Sequence, residues 1–230
     1  MILNLANGNL STVLDFSIPT TLPEVGSINN ISVFSSGGLD SGALLCLIMS
    51  ELKATGQLDT LPVTCYTGIK YDGATYYASR LVSKIAEHFS CNIIHNNNVE
   101  NDVVETGRFR FIASTEPNTV VYAGISRMVP ESVKEFKNKL KVKYPNEFGK
   151  YKFPFLNMAK PQILDIYYKL GCEDIIQYTH SCVNLAVSKC NNCYSCEERA
   201  WAFTELMKSD TGTVPPDVVD ISYNGTWQVS

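Results

Sequence analysis

The residues whose types and order point most directly to chemistry form a glycine-rich segment, Ser36-Gly-Gly-Leu-Asp-Ser41. Its two adjacent glycines let a backbone approach a ligand closely, and its serine hydroxyls can bond phosphate oxygens. Asp40 would repel a phosphate unless a magnesium ion lay between them, so its natural role is that of a metal ligand. We expect the following residues to bind the phosphates of a nucleotide: Ser36, Gly37, Gly38, Leu39, Asp40 and Ser41.

The elements around this segment suit an anion site. A short apolar strand, residues 31–34, precedes it, and an apolar helix, residues 41–52, follows it. The N–H groups at the start of such a helix point at bound phosphates. The segment is not the GxxxxGK[ST] loop, because no lysine follows the glycines. The alternative is a structural turn in which Asp or Ser caps the helix without any ligand, and the paired glycines argue against it.

The second group with chemical potential is a cluster of four cysteines in the pattern Cys-x7-Cys-x2-Cys-x2-Cys. Four thiolates at such spacing can close a tetrahedral zinc site, and Asn191 and Asn192 tolerate the tight backbone of a metal knuckle. An iron–sulfur cluster is the main alternative, and two disulfides are disfavoured. The remaining four cysteines lie in apolar segments and are expected to be inert buried thiols. The predicted metal ligands are Cys182, Cys190, Cys193 and Cys196.

Composition and charge limit the classes of function. The chain has 230 residues, of which 45% are hydrophobic and 18% charged, with a formal net charge of -4. This is typical of a globular protein, and an acidic balance argues against a broad nucleic-acid-binding surface. No apolar run approaches the length of a membrane span, and no signal peptide is evident. We therefore expect a cytoplasmic protein.

The order of apolar segments predicts an α/β fold. Strands are expected at residues 31–34, 61–66, 92–95 and 120–124, and helices at 41–52, 74–89, 103–113, 130–142, 161–170 and 197–208. Such alternation implies a parallel sheet with helices on both faces, and ligands bind at the carboxyl ends of its strands. Gly124 ends one strand and is a further candidate for nucleotide binding. We divide the chain into an N-terminal extension, residues 1–30, a nucleotide-binding α/β domain, residues 31–175, and a zinc-binding segment with a helix and tail, residues 176–230.

Together, the glycine-rich loop and the cysteine cluster resemble those of the 7-cyano-7-deazaguanine synthases, the queuosine-pathway members of the PP-loop ATPases. Two longer stretches also agree: Phe153-Pro-Phe-Leu-Asn-Met-Ala-Lys160 and the segment from Ser181 to Phe203. The resemblance covers about residues 31–52 and 151–203. It implies the adenine nucleotide alpha hydrolase-like fold of PP-loop proteins, with ATP, magnesium and zinc as cofactors.

The resemblance also implies a reaction. ATP adenylates 7-carboxy-7-deazaguanine, ammonia converts the adenylate to the amide, and a second ATP dehydrates the amide to the nitrile. Asp40 would hold magnesium, and Lys160 would neutralise negative charge on the phosphates or the carboxylate. The simpler interpretation of Lys160 is a solvated residue before a helix. The family often forms homodimers, so a homodimer is compatible with the resemblance.

The middle of the chain departs from the family pattern. The family's Tyr-Gly-Gln-Arg-His run is replaced by residues 67–72, and two segments that hold the deazaguanine are missing. Candidates to pair a carboxylate or phosphate there are Arg108, Arg110 and Arg127, with surface salt bridges as the simpler interpretation. This departure leaves open a related PP-loop enzyme with another acceptor: a 7-deazaguanine amide, a modified nucleobase, a protein terminus or a tRNA. A non-catalytic zinc-stabilised nucleotide-binding module is the third alternative, and the intact Asp40 argues against it.

Overall fold

The computed structural model describes residues 1–7, 10–23, 26–68, 74–99, 118–126, 150–183, 189–212, 218–221 and 227–229. The helices predicted at residues 103–113 and 130–142 lie outside these ranges, as do Arg108, Arg110, Arg127 and most of residues 67–72. Within the described residues, no helix is long and apolar enough to cross a membrane.

A five-stranded parallel sheet forms the centre of the fold. Its strands are β5 (Asn30–Phe34), β6 (Val63–Gly68), β7 (Ile94–Val99), β8 (Thr119–Ala123) and β9 (Tyr151–Lys152), in the spatial order β7-β6-β5-β8-β9. Every neighbouring pair is parallel. The described helices are α1 (Leu39–Ala54), α2 (Ala74–Phe89), α3 (Lys160–Leu170) and α4 (Tyr194–Glu205), with a 3₁₀ helix at Glu173–Tyr178.

Helix α1 lies at the centre of the hydrophobic core. Its side chains from Ala43 to Met49 are at most 1% exposed, so it is buried on nearly every face, as its sequence predicts. It contacts both α2 and α3. The predicted fold class, a parallel α/β sheet with a C-terminal cysteine segment, is confirmed.

The two ends of the chain form small antiparallel hairpins. Strands β1 (Ile2–Asn7) and β2 (Leu10–Asp15) pair with each other, and the Ala6 N–H donates to Asp165 Oδ2 of α3 at 2.8 Å. Two further short strands, β3 (Thr21–Leu22) and β4 (Gly26–Ser27), follow. The tail, which showed no clear sequence period, contains β10 (Val218–Ile221) and β11 (Trp227–Val229). The proposed division at residues 30/31 and 175/176 stays a prediction.

Candidate active site

The glycine-rich loop lies at the topological switch point of the sheet, where the chain stops adding strands on one side of the first parallel strand and begins to add them on the other. Strand β5 is central, with β6 on one side and β8 on the other, and the loop leaves its carboxyl end. In open α/β sheets this switch point is the usual position of a ligand cleft, because the loops that follow the two neighbouring strands diverge there. The fold therefore presents the loop at the place that the sequence predicted.

The N-terminus of α1 has no side-chain cap. Its N-cap is Gly38, and no side-chain hydrogen bond caps the helix. Ser41 Oγ donates instead to the Gly38 carbonyl at 3.1 Å and lies 3.3 Å from the Ser36 amide nitrogen, which donates to it. The structural-turn alternative, with Asp or Ser as the cap, is therefore not what the loop adopts. The first-turn N–H groups of α1, which have no intrahelical partner, remain available to an anion.

The glycines of the site are needed for packing as much as for access. Gly37 has a φ of +74°, and a Cβ there would lie 2.7 Å from the Ala78 nitrogen of α2. A Cβ on Gly124, just after β8, would lie 2.8 Å from the Asp40 carbonyl oxygen. Backbone thus packs directly on backbone at both points, which fixes the start of α1 between α2 and β8. Gly38, by contrast, lines the cleft.

Lys160 connects the loop to the C-terminal half of the chain. Its Nζ donates to Asp40 Oδ1 and Oδ2 at 2.7 and 2.6 Å and lies 3.2 Å from Glu198 Oε2. Burial alone would lower the pKa of Lys160, but the carboxylates of Asp40 and Glu198 outweigh it and raise that pKa. Lys160 is therefore a largely buried ammonium, with 12% of its side chain exposed, that two carboxylates hold beside the loop, and the interpretation of a solvated residue is wrong.

The first turn of α3 fixes the position of that ammonium. Lys160 is the first residue of the helix, and the Ala159 N–H before it donates to Gln162 Oε1 at 2.7 Å. About two turns further on, Tyr167 Oη donates to the Leu39 carbonyl at 2.7 Å and ties α3 to the start of α1. The lysine and the loop are thus held by the same pair of helices.

Glu198 is the member of this cluster that sequence reasoning missed. Its side chain is 8% exposed, and burial raises its pKa, with Lys160 opposing that shift. It lies two residues beyond Cys196, inside the segment from Ser181 to Phe203, in which only the cysteines were predicted to have a role in the site. Only the position of α4 beside α3 reveals that this carboxylate faces Lys160.

The four cysteines converge as their spacing predicts. The Sγ atoms of Cys182, Cys190, Cys193 and Cys196 all lie within 4.8 Å of one another. Asn191 has a φ of 59°, the left-handed conformation that a tight knuckle requires, and Asn tolerates it. This set of four soft donors fits one metal ion, so the arrangement supports metal binding.

Cys193 and Cys196 also place α4. Cys193 is the N-cap of that helix, and its carbonyl accepts the Glu197 N–H at 3.0 Å. Further along, buried Arg199 bonds both oxygens of Asp210 at 3.0 Å and Thr179 Oγ1 at 2.8 Å. The cysteine cluster and Arg199 together hold α4 against the segment that leads to Cys182.

One cleft brings the loop and the cysteine segment together. The His180 N–H donates to the Gly37 carbonyl at 2.8 Å, which places residues 180–183 against the loop. The cleft measures about 180 Å³, less than the ~300–1,000 Å³ of typical small-molecule pockets. Its volume is comparable with that of a small anion and a metal ion. It is lined by Ser36, Gly38, Leu39, Asp40, Gly124, Lys160, His180, Ser181, Cys182, Val183, Tyr194 and Ser195.

Most of the predicted site residues meet here. Gly37 and Ser41 belong to the loop but do not line the cleft. Cys182 lines the cleft, and Cys190, Cys193 and Cys196 cluster with it. Of the other cysteines, Cys46, Cys65 and Cys172 are buried, and burial raises the pKa of the Cys46 and Cys65 thiols. The three arginines that were expected to bind substrate lie outside the described residues and stay predictions.

Comparisons with known proteins agree with the C-terminal half of this site. Residues 122–207 match the family model of the queuosine biosynthesis protein QueC. That stretch contains Gly124, Lys160, Glu198 and the four clustered cysteines, but not the glycine-rich loop. No curated protein matches the chain significantly.

Several solved structures are similar in fold. The U34-tRNA thiolase NcsA from Methanococcus maripaludis, with its [4Fe-4S] cluster, is 15% identical with a TM-score of 0.43, covering 82% of this chain and 73% of that one. FMN adenylyltransferase from Candida glabrata, with FMN and an ATP analogue, is 16% identical with a TM-score of 0.44, covering 74% and 65%. NAD+ synthetase from Burkholderia pseudomallei is 11% identical with a TM-score of 0.38, covering 78% and 79%. Likeness at this level says nothing about the activity of this chain.

The family match and the candidate site share several residues. The match covers the lysine and cysteine segments that carried the resemblance, and the structure adds the loop to them in one cleft. These features support ATP-dependent adenylation chemistry and the binding of a metal by the cysteines. The predicted resemblance to the 7-cyano-7-deazaguanine synthases is confirmed over residues 122–207, which match the QueC family model.

Proposed function

We propose that this chain is an ATP-dependent ligase that converts 7-carboxy-7-deazaguanine and ammonia to 7-cyano-7-deazaguanine. The observation that carries the proposal is the pairing of Asp40 with Lys160 at the open start of α1, in a cleft that the cysteine segment also lines. The family match includes both the lysine and the cysteines. A cytoplasmic location and a homodimer belong to the same proposal.

The loop would hold the leaving pyrophosphate. Adenylation joins a carboxylate oxygen to the α-phosphorus of ATP and breaks that atom's bond to the β-phosphate oxygen, so negative charge grows on pyrophosphate. The first-turn N–H groups of α1 and the Ser36 hydroxyl lie where they can bond that charge. Asp40 would be the protein ligand of magnesium, which neutralises the phosphates when bound.

Lys160 would act at the reacting centre. Its ammonium is charged at any physiological pH, because its pKa is raised by two carboxylates. A fixed, partly desolvated cation stabilises charge that develops in the transition state without any reorganisation. We assign Lys160 the roles of orienting the substrate carboxylate and of stabilising the charge on the α-phosphate.

Zinc fits the cysteine cluster better than an iron–sulfur cluster does. A tetrahedral ion with Zn–S bonds of ~2.3 Å places its sulfurs ~3.8 Å apart, close to the spread of the four thiols. Four irons would hold their four cysteine sulfurs farther apart than a single ion does. We propose a structural zinc whose protein ligands position α4 and residues 180–183 against the loop.

The second candidate function is adenylation of a different acceptor. It is favoured by the replacement of the family's Tyr-Gly-Gln-Arg-His run by residues 67–72 and by the missing substrate segments. In this second candidate function, Arg108, Arg110 and Arg127 would bind the other acceptor. In the first candidate function, they would bind the carboxylate of the deazaguanine.

The test is a pyrophosphate-release assay on the zinc-loaded protein with ATP, magnesium, ammonium and 7-carboxy-7-deazaguanine, followed by product mass. We expect the nitrile, and we expect Asp40→Ala to abolish it. Product that stops at the amide would favour an enzyme arrested halfway. Absence of both products while ATP still binds would overturn the deazaguanine ligase and favour the second candidate.

A further inference from the structure

Gly42 provides space inside α1 for one side chain of α3. It is the fourth residue of the helix, where alanine is the better helix former, and its φ is not in the left-handed region that favours glycine. A Cβ on Gly42 would lie 2.3 Å from Tyr167 Oη, far inside van der Waals contact. The next nearest atoms, of Leu81 and Thr179, lie at 3.2 and 3.3 Å. The missing side chain therefore makes room for the hydroxyl group of Tyr167.

The Tyr167 hydroxyl reaches the first turn of α1 through this space. The Tyr167 side chain is fully buried, and its Oη donates to the Leu39 carbonyl at 2.7 Å. Within an α-helix this carbonyl also accepts the N–H four residues further on, from Ala43, and a carbonyl oxygen has lone pairs for both bonds. The bond from Tyr167 is therefore an addition to the hydrogen bonds that α1 makes by itself.

We propose that Tyr167 is a positioning residue that directs the Asp40 N–H at an anion in the cleft and strengthens it as a donor. The Leu39 carbonyl and the Asp40 N–H belong to one planar, trans peptide group, so they point in opposite directions. A hydrogen bond to the carbonyl fixes the plane of this group and polarises its N–H, because hydrogen bonds in a chain strengthen one another. The inference rests on the proposed function, since it takes the anion to be the pyrophosphate part of ATP.

The two preceding peptide groups are held in the same way. The Gly37 carbonyl accepts the His180 N–H at 2.8 Å, and the Gly38 carbonyl accepts the Ser41 hydroxyl at 3.1 Å. The tyrosine supplies the donor for the third peptide group in the series. Protein groups thus bind the carbonyls of three consecutive peptides, and the N–H groups of those peptides belong to residues 38–40, which line the cleft.

The experiment measures the binding of inorganic pyrophosphate, with magnesium present, by calorimetric titration. The proteins are wild type, Tyr167→Phe, Gly42→Ala and the double variant. Tyr167→Phe keeps the ring and removes only the hydroxyl, so we expect its affinity for pyrophosphate to fall about three- to tenfold, as for loss of one hydrogen bond. The matched control is Tyr168→Phe, which removes a hydroxyl from the half-buried neighbour on the same helix and should bind as wild type does.

The double variant separates packing from positioning. Gly42→Ala alone sets a methyl group against Tyr167 Oη, so we expect a lower thermal midpoint and weaker pyrophosphate binding than in Tyr167→Phe. In the double variant the methyl group enters the space that the hydroxyl leaves, so the thermal midpoint should rise above that of Gly42→Ala. The affinity for pyrophosphate should stay as low as in Tyr167→Phe. A hydroxyl with a merely structural role would not give stability without affinity.

A loss of affinity in Tyr167→Phe of less than about threefold overturns the role of Tyr167. If Tyr167→Phe is too unstable to titrate, the double variant decides, because wild-type affinity without the hydroxyl overturns the role equally. Wild-type protein that binds no pyrophosphate would overturn the proposed function together with this inference. Because the titration needs no acceptor substrate, failure to form the nitrile while pyrophosphate still binds would count against the deazaguanine ligase alone.

Discussion

Lys160 Nζ and the Asp40 carboxylate are joined by two hydrogen bonds of 2.7 and 2.6 Å, although the residues are 120 positions apart. Both residues lie in the first turn of a helix: Asp40 is the second residue of α1, and Lys160 is the first residue of α3. The pair therefore brings two helix starts to one cleft. An anion in that cleft would meet free N–H groups and a fixed cation at once.

The first prediction concerns the charge of Lys160. Lys160→Met removes the ammonium while keeping much of the side-chain volume, and we expect kcat for pyrophosphate release to fall by about 100-fold or more, as for loss of one preorganised donor. The affinity for ATP should change far less, because the loop N–H groups remain. Both are measured by initial rates and by calorimetric ATP titration.

Lys160→Arg is the matched control for that variant. It keeps the charge, but its planar fork does not reproduce the contacts of a compact ammonium with two carboxylates. We expect partial activity, above that of Lys160→Met. Equal kcat values for Lys160→Met and wild type would exclude Lys160 from the chemistry.

Much of this arrangement could be predicted from the sequence. The loop, the cysteine ligands and most of the elements follow from local signals: paired glycines, cysteine spacing, and apolar runs such as residues 74–89, whose helix has the predicted limits. The helix start was predicted at residue 41 and lies at Leu39, because Gly38 and not Asp40 or Ser41 is the N-cap.

What the sequence could not supply were contacts between distant elements. Glu198 faces Lys160 only because α4 packs on α3, and no local pattern distinguishes it from its exposed neighbour Glu197. The reason for Gly124 was equally hidden, since it depends on the approach of β8 to the Asp40 backbone. Strand β7 also extends to Val99, beyond the predicted end at residue 95, because pairing with β6 satisfies a backbone whose side chains are polar.

The second prediction separates steric packing from backbone strain at the loop. Gly37 and Gly56 both have positive φ, +74° and +69°, but a Cβ would contact Ala78 and Tyr77 only at Gly37. Alanine at either position is strained by about 1 kcal/mol. Gly37→Ala must also shift the loop from α2, so we expect ATP binding to weaken at least tenfold in that variant alone. Calorimetric ATP titration of both variants measures it, and equal ATP affinity would show that the loop tolerates the displacement.

The third prediction concerns the metal. Elemental analysis of protein purified without chelator should give about one zinc ion per chain, as expected for four thiolate ligands. Cys190→Ser should lose that ion and lower the thermal midpoint, because Cys193 and Cys196 then no longer tie α4 to Cys182. Iron and acid-labile sulfide in place of zinc would contradict a mononuclear site. Cys91→Ser, which changes a half-buried cysteine away from the cluster, is the control and should keep the metal.

The fourth prediction is a pH dependence of stability. Burial of Asp210 opposes its ionisation, but Arg199 and Lys189 outweigh that effect and lower its pKa from 3.8 to about 2. A carboxylate with a lowered folded-state pKa stabilises the fold above its unfolded pKa, and this stabilisation is lost as the pH falls from about 4 to about 2. Asp210→Asn should therefore reduce the free energy of unfolding by about 2 kcal/mol at pH 6.

The difference between Asp210→Asn and wild type should shrink as the pH is lowered through that range. Urea unfolding at pH 6, 4 and 3 measures it, and Asp174→Asn, which changes an exposed carboxylate on the 3₁₀ helix, is the comparison. A metal bound by the cysteines would also be released at low pH in both proteins, so the comparison uses the difference between variant and wild type at each pH. A constant difference from pH 6 to pH 3 would mean that the Asp210 side chain contributes through shape and neutral hydrogen bonds, not through its charge beside Arg199.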